Sequence, residues 1–599
     1  MADSKKKIVP INYTNREFET IRQDLMEIAE RFYPDSFKDF SEASFGSLMI
    51  DTVAYVGDQL SFYLDYQANE SFLPTANEYG NIVKHGKALG YKLTETPSSY
   101  GTVTLFVKIP SSPTAGPDLD YFPILQRGTM FSTTGGTTYM LTNDINFADS
   151  ANEIVVAAVN ESTGAPSEYA VRAYGEVVSG MLGAKEVDIG NFERFKRIEL
   201  ANPNITEVLS VTDSDGNRYF EVDYLSQNTI YRPVENTGIN KSIVPNLLKP
   251  FIAMRRFVVE RERGRLFLQF GFGSEKNLSN EGILNPDDIV LKRHGRDYNI
   301  NTSFDPTKLI QTDKFGVSPS NTTLRIVYRM NNRATVNTGA GTIINVNNAN
   351  FKFIDAASLD LSKKNTIATS LEVTNEEPII GDVTYPSTNE VKRRIYDTYT
   401  AQNRAVTAQD YKAMIYMMPS KYGSIKRCNI LQDPDAFKRN LNIYVVSEDS
   451  SGNLTKTNDT IKNNLKNWIN QYRMLNDTID ILDAKIANIG INFTIAATRE
   501  ADKFTVLARA ESALKENFLS IGEISEPINI ADIYRILNLV PGVSDTIDVT
   551  LEGKSGALYS NTGFNVEDNI SSDGRYLIPP EDVVCEIKYL DADIKGHIR

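Results

Sequence analysis

The sequence predicts a multidomain α+β protein, with an N-terminal helical bundle arm, a β-rich middle and small C-terminal α+β domains. Three observations predict it. Between Phe18 and Leu60 the apolar residues recur at spacings of three and four, the rhythm of helices that bury a narrow seam. From Tyr100 onward the period changes to alternation, which marks half-buried strands. Beyond Thr388 short helical and strand patterns alternate, as in small sheets with helices laid on one face. The segments that follow are a helical head at 1–95, a β-rich region at 96–385 that reads as two subdomains, helices plus an α+β domain at 386–500, and a C-terminal α+β region at 501–599.

Thr14-Asn-Arg-Glu17 has the form of a capping box before the first helix, and Pro34 stops that helix. Its seam is Phe18, Ile21, Leu25, Ile28 and Phe32. A second helix is expected over Ser44 to Ala68, with Met49, Val53, Val56, Leu60 and Tyr63 stepping by four and three. A third opens at another box-like run, Thr75-Ala-Asn-Glu78, and ends near Gly90. A seam of this kind covers either neighbouring helices of its own chain or those of another chain.

Val103, Leu105, Val107 and Ile109 alternate as a strand. Val208 to Thr212 and Arg218 to Val222 flank Asp-Ser-Asp-Gly, a hairpin signal, and Phe257 to Glu262 with Leu266 to Phe270 reads as a second hairpin. Residues 331–350, rich in Asn, Thr and Gly, read as a long loop or a lightly packed sheet edge. No repeat of fixed period is visible, which argues against a solenoid or propeller. In the third region a helix is expected from residue 389, and Thr407-Ala-Gln-Asp410 caps another that ends by Pro419. Strands at 424–431 and 441–447, a helix at 461–472, strands at 478–485 and 489–498, helices at 503–518 and 530–539, and strands at 546–551 and 583–590 complete the reading.

Composition narrows the function. The net charge is −14 with a pI near 5.0, a poor match for nucleic acid or an anionic membrane. The two cysteines, Cys428 and Cys585, form no disulfide framework and fit folding in a reducing cytoplasm. There is no apolar run of the length that crosses a membrane, and the basic start of the chain has no apolar stretch of a secretory signal behind it.

Catalytic equipment is sparse. His85, His294 and His597 lie in separate regions, on a helix, in an Arg-His-Gly-Arg turn and at a frayed terminus, and none has a second His one helical turn away. The cysteines have no CxxC partner, and Cys428 reads as a small core residue of a strand. Gly339-Ala-Gly341 lacks the rest of a phosphate-binding fingerprint. Asp213, Asp215 and Asn217 imitate a calcium loop, but Tyr224 stands where a bidentate Glu is needed, so a hairpin turn is expected. Asp287/Asp288 and Glu581/Asp582 read as solvated turns rather than a glycosidase pair. Arg255, Arg256, Arg261, Arg263 and Arg265 are interleaved with Glu260 and Glu262, which suggests cross-strand ion pairs rather than a phosphate track. The chain is therefore expected to be no enzyme, with no cofactor and no metal.

Two stretches carry a resemblance. DFSEASFGSLMIDTVAYVGDQLSFYLDYQANESFLPTA (39–76), continuing to GKALGYKL (86–93), resembles the N-terminal part of baseplate wedge proteins of contractile-tailed phages. RAVTAQDYKAMI (404–415) and INIADIYRILNLVPGVSD (528–545) resemble segments of the J-like baseplate family, to which the larger wedge subunit of the T-even phages belongs. The middle of the chain matches only in being β-rich. The resemblance implies a structural virion protein of the tail baseplate, assembled in the host cytoplasm, that builds the ring around the tail hub and transmits the shape change on contraction. It implies two copies per wedge closing into a six-fold ring, other wedge proteins sharing a helical bundle, contacts to the hub and sheath-initiating components, no nucleic acid and no membrane insertion. On this reading the bundle seam is Phe18, Ile21, Leu25, Ile28, Phe32, Met49, Val53, Val56 and Leu60, and a second self-contact lies at Ile533, Ile536, Leu537, Leu539 and Val540. A wedge subunit of a bacterial contractile secretion or injection system is the alternative. A tail-associated glycan-binding or glycan-cleaving protein is the rival of another class. The lone tryptophan, Trp468, speaks against it, since it falls on an amphipathic helix rather than on an exposed sugar platform.

Overall fold

The computed structural model describes residues 17–33, 44–92, 97–112, 116–160, 162, 164–202, 204–235, 246–262, 265–274, 315–331, 336–381, 383–433, 440–518, 522–556 and 558–599. Its main helices are α1 (Phe18–Phe32), α2 (Phe45–Glu70), α3 (Tyr79–Ala88), α4 (Leu361–Thr369), α5 (Thr388–Ala401), α6 (Ala408–Tyr416), α7 (Asp459–Ile469), α8 (Lys503–Asn517) and α9 (Ile530–Asn538). N-terminal helices, a β-rich middle and C-terminal mixed elements follow one another as the patterns predict. The chain divides into two compact units, Met1–Leu93 with Pro386–Thr400, and Thr94–Tyr385 with Ala401–Arg599.

The smaller unit holds α1, α2, α3 and nearly all of α5. Ser44 caps α2 by accepting the Ser47 N–H. The core lies at the other end, where Ala76, Ile82 and Tyr91 meet Val391 and Ile395 of α5. Lys392 of α5 donates to the Pro74 carbonyl at 3.1 Å. α1 begins after Glu17 with no side-chain cap at that position, and Thr14 and Pro34 lie outside the described residues.

The larger unit contains two seven-stranded sheets and two four-stranded sheets. In the first sheet, strand Tyr100–Pro110 lies between Pro166–Ser179 and Glu372–Thr374, and all pairings are antiparallel. Its alternation is the one read from sequence: Val103, Leu105, Val107 and Ile109 point into the core, and Ile367 of α4 joins them. Residues 343–348 form the sheet's edge strand, bulged against Met130–Thr133. The second sheet runs from Met181–Ile189 to Arg197–Leu200 and includes both expected hairpins.

Asp213 closes the first hairpin: its carboxylate accepts the Asp215 and Asn217 N–H groups at 3.0 and 2.8 Å, which is a turn's use of the residue. Glu260 and Glu262 pair with Arg197 of the neighbouring strand, at 3.3 and 2.9 Å, so the ion pairs reach beyond the hairpin expected to contain them. Arg256 is buried and donates to the Leu225 and Ala253 carbonyls, and burial pulls its guanidinium down to about 10. Arg263, His294 and Asp287/Asp288 lie outside the described residues.

In the third sheet Asn440–Glu448 pairs with Arg427–Gln432 and, in parallel, with Thr478–Asp483, and α6 and α7 share its core. The Thr407 capping box is complete: Thr407 Oγ1 accepts the Asp410 N–H at 3.2 Å and Asp410 Oδ2 accepts the Thr407 N–H at 2.9 Å. Cys428 is fully buried there. The fourth sheet centres on Lys485–Ala497 and is covered by α8 and α9. The final strand pattern is shorter than expected, Val583–Glu586, and a further strand, Ile594–Ile598, runs parallel to the centre. His597 is thus not on a frayed end: it sits in that strand opposite Thr494. The polar run Lys-Gly-His hid it, because one buried residue, Ile594, suffices to dock a strand whose pairing is made by backbone.

The two large sheets are joined at Gly180, whose φ is +123°, and Arg329 lies beside it. Arg329 is fully buried and its guanidinium reaches the Ser179 carbonyl, Ser98 Oγ at 2.9 Å and Glu207 at 3.3 Å. Removing the guanidinium would strand those acceptors, so Arg329→Met is expected to cost about 3–5 kcal/mol. Urea denaturation should show the loss, and Arg329→Lys should restore only part of it, because a lysine lacks the planar fork.

Candidate interaction surfaces

α1 lies on a face of α2 built from small residues. Ser47 and Ala54 are fully buried, and a Cβ on Gly57 would come within 3.3 Å of Ile21 Cδ1. Arg22 Nε and Asp51 Oδ1 join the two helices at 2.6 Å. Of the α1 seam, Phe18, Ile21 and Leu25 are half-buried, while Ile28 and Phe32 are exposed.

The α2 seam points elsewhere. Met49, Val53, Val56 and Leu60 are between 50% and 57% exposed. At about 100° per residue they are turned well away from the small-residue face: Val53 and Val56 each precede a contact position, Ala54 and Gly57, by one residue, and Met49 follows Ser47 by two. Phe62, Tyr63, Leu64 and Tyr66 are exposed as well and surround the helix over its last turns. So many large apolar side chains left in water on one helix mark a surface that a partner buries.

The turn from α2 to α3 is held by Glu70, a nearly buried carboxylate. It accepts the Asn77 and Glu78 N–H groups at 2.8 and 3.2 Å and the Asn81 amide at 2.9 Å. This corrects the capping box expected at Thr75–Glu78: α3 has no side-chain cap of its own, the Thr75 hydroxyl donates back to the Asn69 carbonyl at 2.7 Å, and the Glu70 carboxylate takes the N–H groups just ahead of the helix. His85 packs into the same corner, its Nε2 at 2.9 Å from the Glu70 carbonyl.

At the C-terminal end, Ile533 and Leu537 of α9 are fully buried in the core that α9 shares with α8 and the fourth sheet. Ile536 is partly buried, Val540 is buried, and Leu539 is 72% exposed. These last three edge an open groove of about 640 Å³ between α8 and α9, with Ala513 on its wall and Arg509, Arg535 and Glu516 on its rim. The five expected contact residues are therefore divided: two belong to the interior and three face the groove.

A second cleft, about 510 Å³, lies where the two four-stranded sheets meet. Glu586 forms its floor, accepting the Leu454 N–H at 2.6 Å and the Asn488 amide at 2.8 Å, and burial pushes its carboxyl up from 4.5. Among the described residues no three His, Cys, Asp or Glu side chains gather as a metal would need, and no helix is long and apolar enough to cross a membrane. Trp468 donates its indole N–H to the Met414 carbonyl at 2.8 Å. Asp582 pairs with Lys485 at 2.9 Å.

Residues 17–88, spanning α1 to α3, match the family described as bacteriophage baseplate protein, N-terminal domain. No curated protein matches the sequence. Among solved structures, similar chains come from the six-fold symmetrised anti-feeding prophage baseplate, at 8% identity and a TM-score of 0.26 over 94% of this chain and 90% of that one. Another comes from the TssK-TssF-TssG baseplate subcomplex of the type VI secretion system, at 8% identity and 0.24 over 73% of this chain and 96% of that one. At such TM-scores the likeness says nothing of a shared role.

Hydrogen bonds from Asn81 and then Asn77 hold the Glu70 carboxyl below its ordinary 4.5. A carboxylate with a lowered folded value stabilises the fold above its unfolded value, and that stabilisation is lost as the pH falls through the folded one. The protection of the Asn77 and Glu78 amides, measured against the unstructured exchange rate at the same pH, should therefore fall as the pH drops below about 4.5. In Glu70→Gln that protection should be lower already at neutral pH and much less dependent on acid.

Proposed function

We propose that the protein is a wedge subunit of a phage contractile-tail baseplate and works through interfaces rather than through catalysis. One observation carries this reading: α2, inside the segment that matches the baseplate N-terminal family, leaves its whole apolar stripe uncovered while its small residues take α1. A soluble chain seldom exposes such a face unless an assembly buries it. The stripe would enter a helical bundle shared with other wedge proteins, while the C-terminal region makes a second self-contact. Two separate surfaces are what a closing ring requires, since one isologous contact ends at a dimer. The protein would then sit in the virion tail, in two copies per wedge, facing the hub and the sheath-initiating components. The same architecture would serve a contractile secretion or injection machine, and capsid and terminase genes beside its own would separate the two.

The test uses exposed positions. Val53→Asp places a charge on the uncovered stripe, where the free chain keeps it in water. The variant should fold with an unchanged melting temperature and fail to enter baseplate particles, because burying that charge in the bundle would cost several kcal/mol. Normal incorporation would remove the stripe from the interface. Catalysis is tested separately: the purified chain should show no turnover on glycans, nucleotides or peptides. A turnover abolished by changing one carboxylate would overturn the structural reading.

A further inference from the structure

One edge of the first sheet is a strand with the composition of an interior one. Glu153–Val159 pairs along one side with Pro166–Ser179, and among the described residues no other strand pairs with it. After Glu153 it is wholly apolar, the pattern of a strand buried on both faces. Both faces are instead in water: Ile154, Val155 and Val156 are 43%, 61% and 49% exposed. Ile154 lies opposite Val171 and Val156 opposite Tyr169, so these two share the face of buried residues. Val171 is fully buried in the core while its neighbour Ile154 is not, so the cover of the sheet stops between them.

Open edges are normally blunted by charge. Met181–Ile189, at the edge of the second sheet, carries Lys185, Glu186 and Asp188, and Val543–Lys554, at the edge of the fourth, carries Asp545 and Asp548. Glu153–Val159 has one charge, at its first residue, and a bulge at Ala157 that closes its regular stretch. Its free edge presents backbone donors and acceptors that another extended strand satisfies. The order of residues selects which strand. Residues directly opposite in a sheet share a face, so two copies of this strand paired antiparallel must centre on a single residue. Centred on Val155, Ile154 of each copy meets Val156 of the other, and these apolar β-branched pairs prolong the core face of one sheet into the next. Glu153 meets Ala157, and the two Glu153 side chains stand about 14 Å apart along the strands, which suits a chain of net charge −14. Other centres fit worse. Glu153 would oppose its own copy, Ile154 would set Val156 against Asn152, and Val156 would carry the pairing into the bulge. Glu153–Ala157 is thus complementary to itself in one register.

We propose that Glu153–Ala157 is an interface strand that pairs antiparallel with the same strand of a second copy, joining the first sheets of the two copies into one continuous sheet. The contact is isologous, so it couples copies two by two and stops there. It goes beyond the functional reading above, because it uses neither the helical head nor the C-terminal groove and holds whichever machine the protein serves.

The experiment uses the full chain. Val155→Cys places a thiol on the two-fold axis, where directly opposite Cβ atoms lie about 5 Å apart, near enough for a disulfide. Cys428 is fully buried, and burial pushes the Cys585 thiol up to about 12, so both native thiols react poorly. Under mild oxidation Val155→Cys should give a disulfide-linked dimer and the wild-type chain should not. Glu153→Cys and Ala157→Cys should cross-link when mixed and neither should alone, which reads the register. In sedimentation Val155→Lys should weaken dimerisation roughly tenfold or more, since the two lysines would face each other at the centre of the pair. Val155 is exposed in the single chain, so both of its variants should keep the wild-type melting temperature. A chain that dimerises equally well with Val155→Lys, or whose Val155→Cys variant gives no linked dimer, overturns the proposal. A chain that stays monomeric at high concentration overturns it as well, and if Val155→Lys then still keeps it out of baseplate particles, the edge takes a strand from another protein.

Discussion

The larger unit depends on a crossing point of buried hydroxyls and one buried cation. Ser98 and Ser99 are fully buried where strand Tyr100–Pro110 begins. The Ser98 N–H bonds the Ser420 carbonyl at 3.1 Å, which brings in the segment after α6. Ser98 Oγ accepts from Arg329 of the second sheet, and the Ser99 N–H bonds Ser179 Oγ of the first at 2.9 Å. Ser99 Oγ then donates to Asn337 at 2.7 Å, and Asn331 donates to the Pro97 carbonyl at 3.0 Å. Three regions of sequence are fixed to one another within a few residues. Burying a guanidinium is expensive, and among the described residues its Nε finds no partner. A side chain so placed persists because its remaining donors are all answered, and it specifies how the two sheets join. Gly180 makes room for it: a Cβ there would lie 2.9 Å from Arg329 Cγ and 3.0 Å from the Met330 carbonyl.

That crossing ties the two large sheets and the segment after α6 to one another. The edge strand Glu153–Val159 and the groove between α8 and α9 both belong to the larger unit, the first held by its pairing with Pro166–Ser179 and the second by the core of the fourth sheet. Rigid placement matters for an assembly protein in a way it does not for a flexible binder. A head-to-tail contact closes into a ring only if the angle between the two surfaces is held. The head differs, since its exposed helix offers a face rather than a shaped pocket. Apolar faces of this kind tolerate partners that arrive as helices with matching periodicity.

Much of this was legible because local chemistry decided it. Thr407 and Asp410 are three residues apart and cap their helix as such spacing allows, and the alternation from Val103 to Ile109 gave both the strand and its inward face. What escaped was decided at a distance. Glu70 takes the N–H groups of Asn77 and Glu78, seven and eight residues on, just ahead of α3, so a local box at Thr75 looked sufficient. Arg329, in a strand of alternating polar and apolar residues, reads as solvent-facing until the second sheet is laid beside it. For the interface residues the seam rhythm found α2 correctly but could not say which face α1 would take. Bulky residues suggested the apolar stripe, whereas the close approach went to Ser47, Ala54 and Gly57. The rhythm was real, and its consequence was a face left free.

The perturbed titratable groups fit the same picture. In an enzyme such groups converge on a cleft where a reacting atom can sit. Two of them join separate pieces of chain. Burial and then the Asp477 carboxylate raise the Tyr411 hydroxyl, and that pair ties α6 to the turn after α7. Glu586 links the residue 454 hairpin to the fourth sheet through the Leu454 N–H and Asn488. Its carboxyl is raised, so its contribution has the opposite sign to that of Glu70: present below 4.5 and lost as the pH rises through its folded value. Asn488 in turn accepts the Ser560 N–H at 2.7 Å, so the floor of the nearest polar cleft is already occupied by the protein's own donors. Through the Leu454 N–H and the Asn488 amide the Glu586 carboxyl joins the two small sheets at their meeting edge.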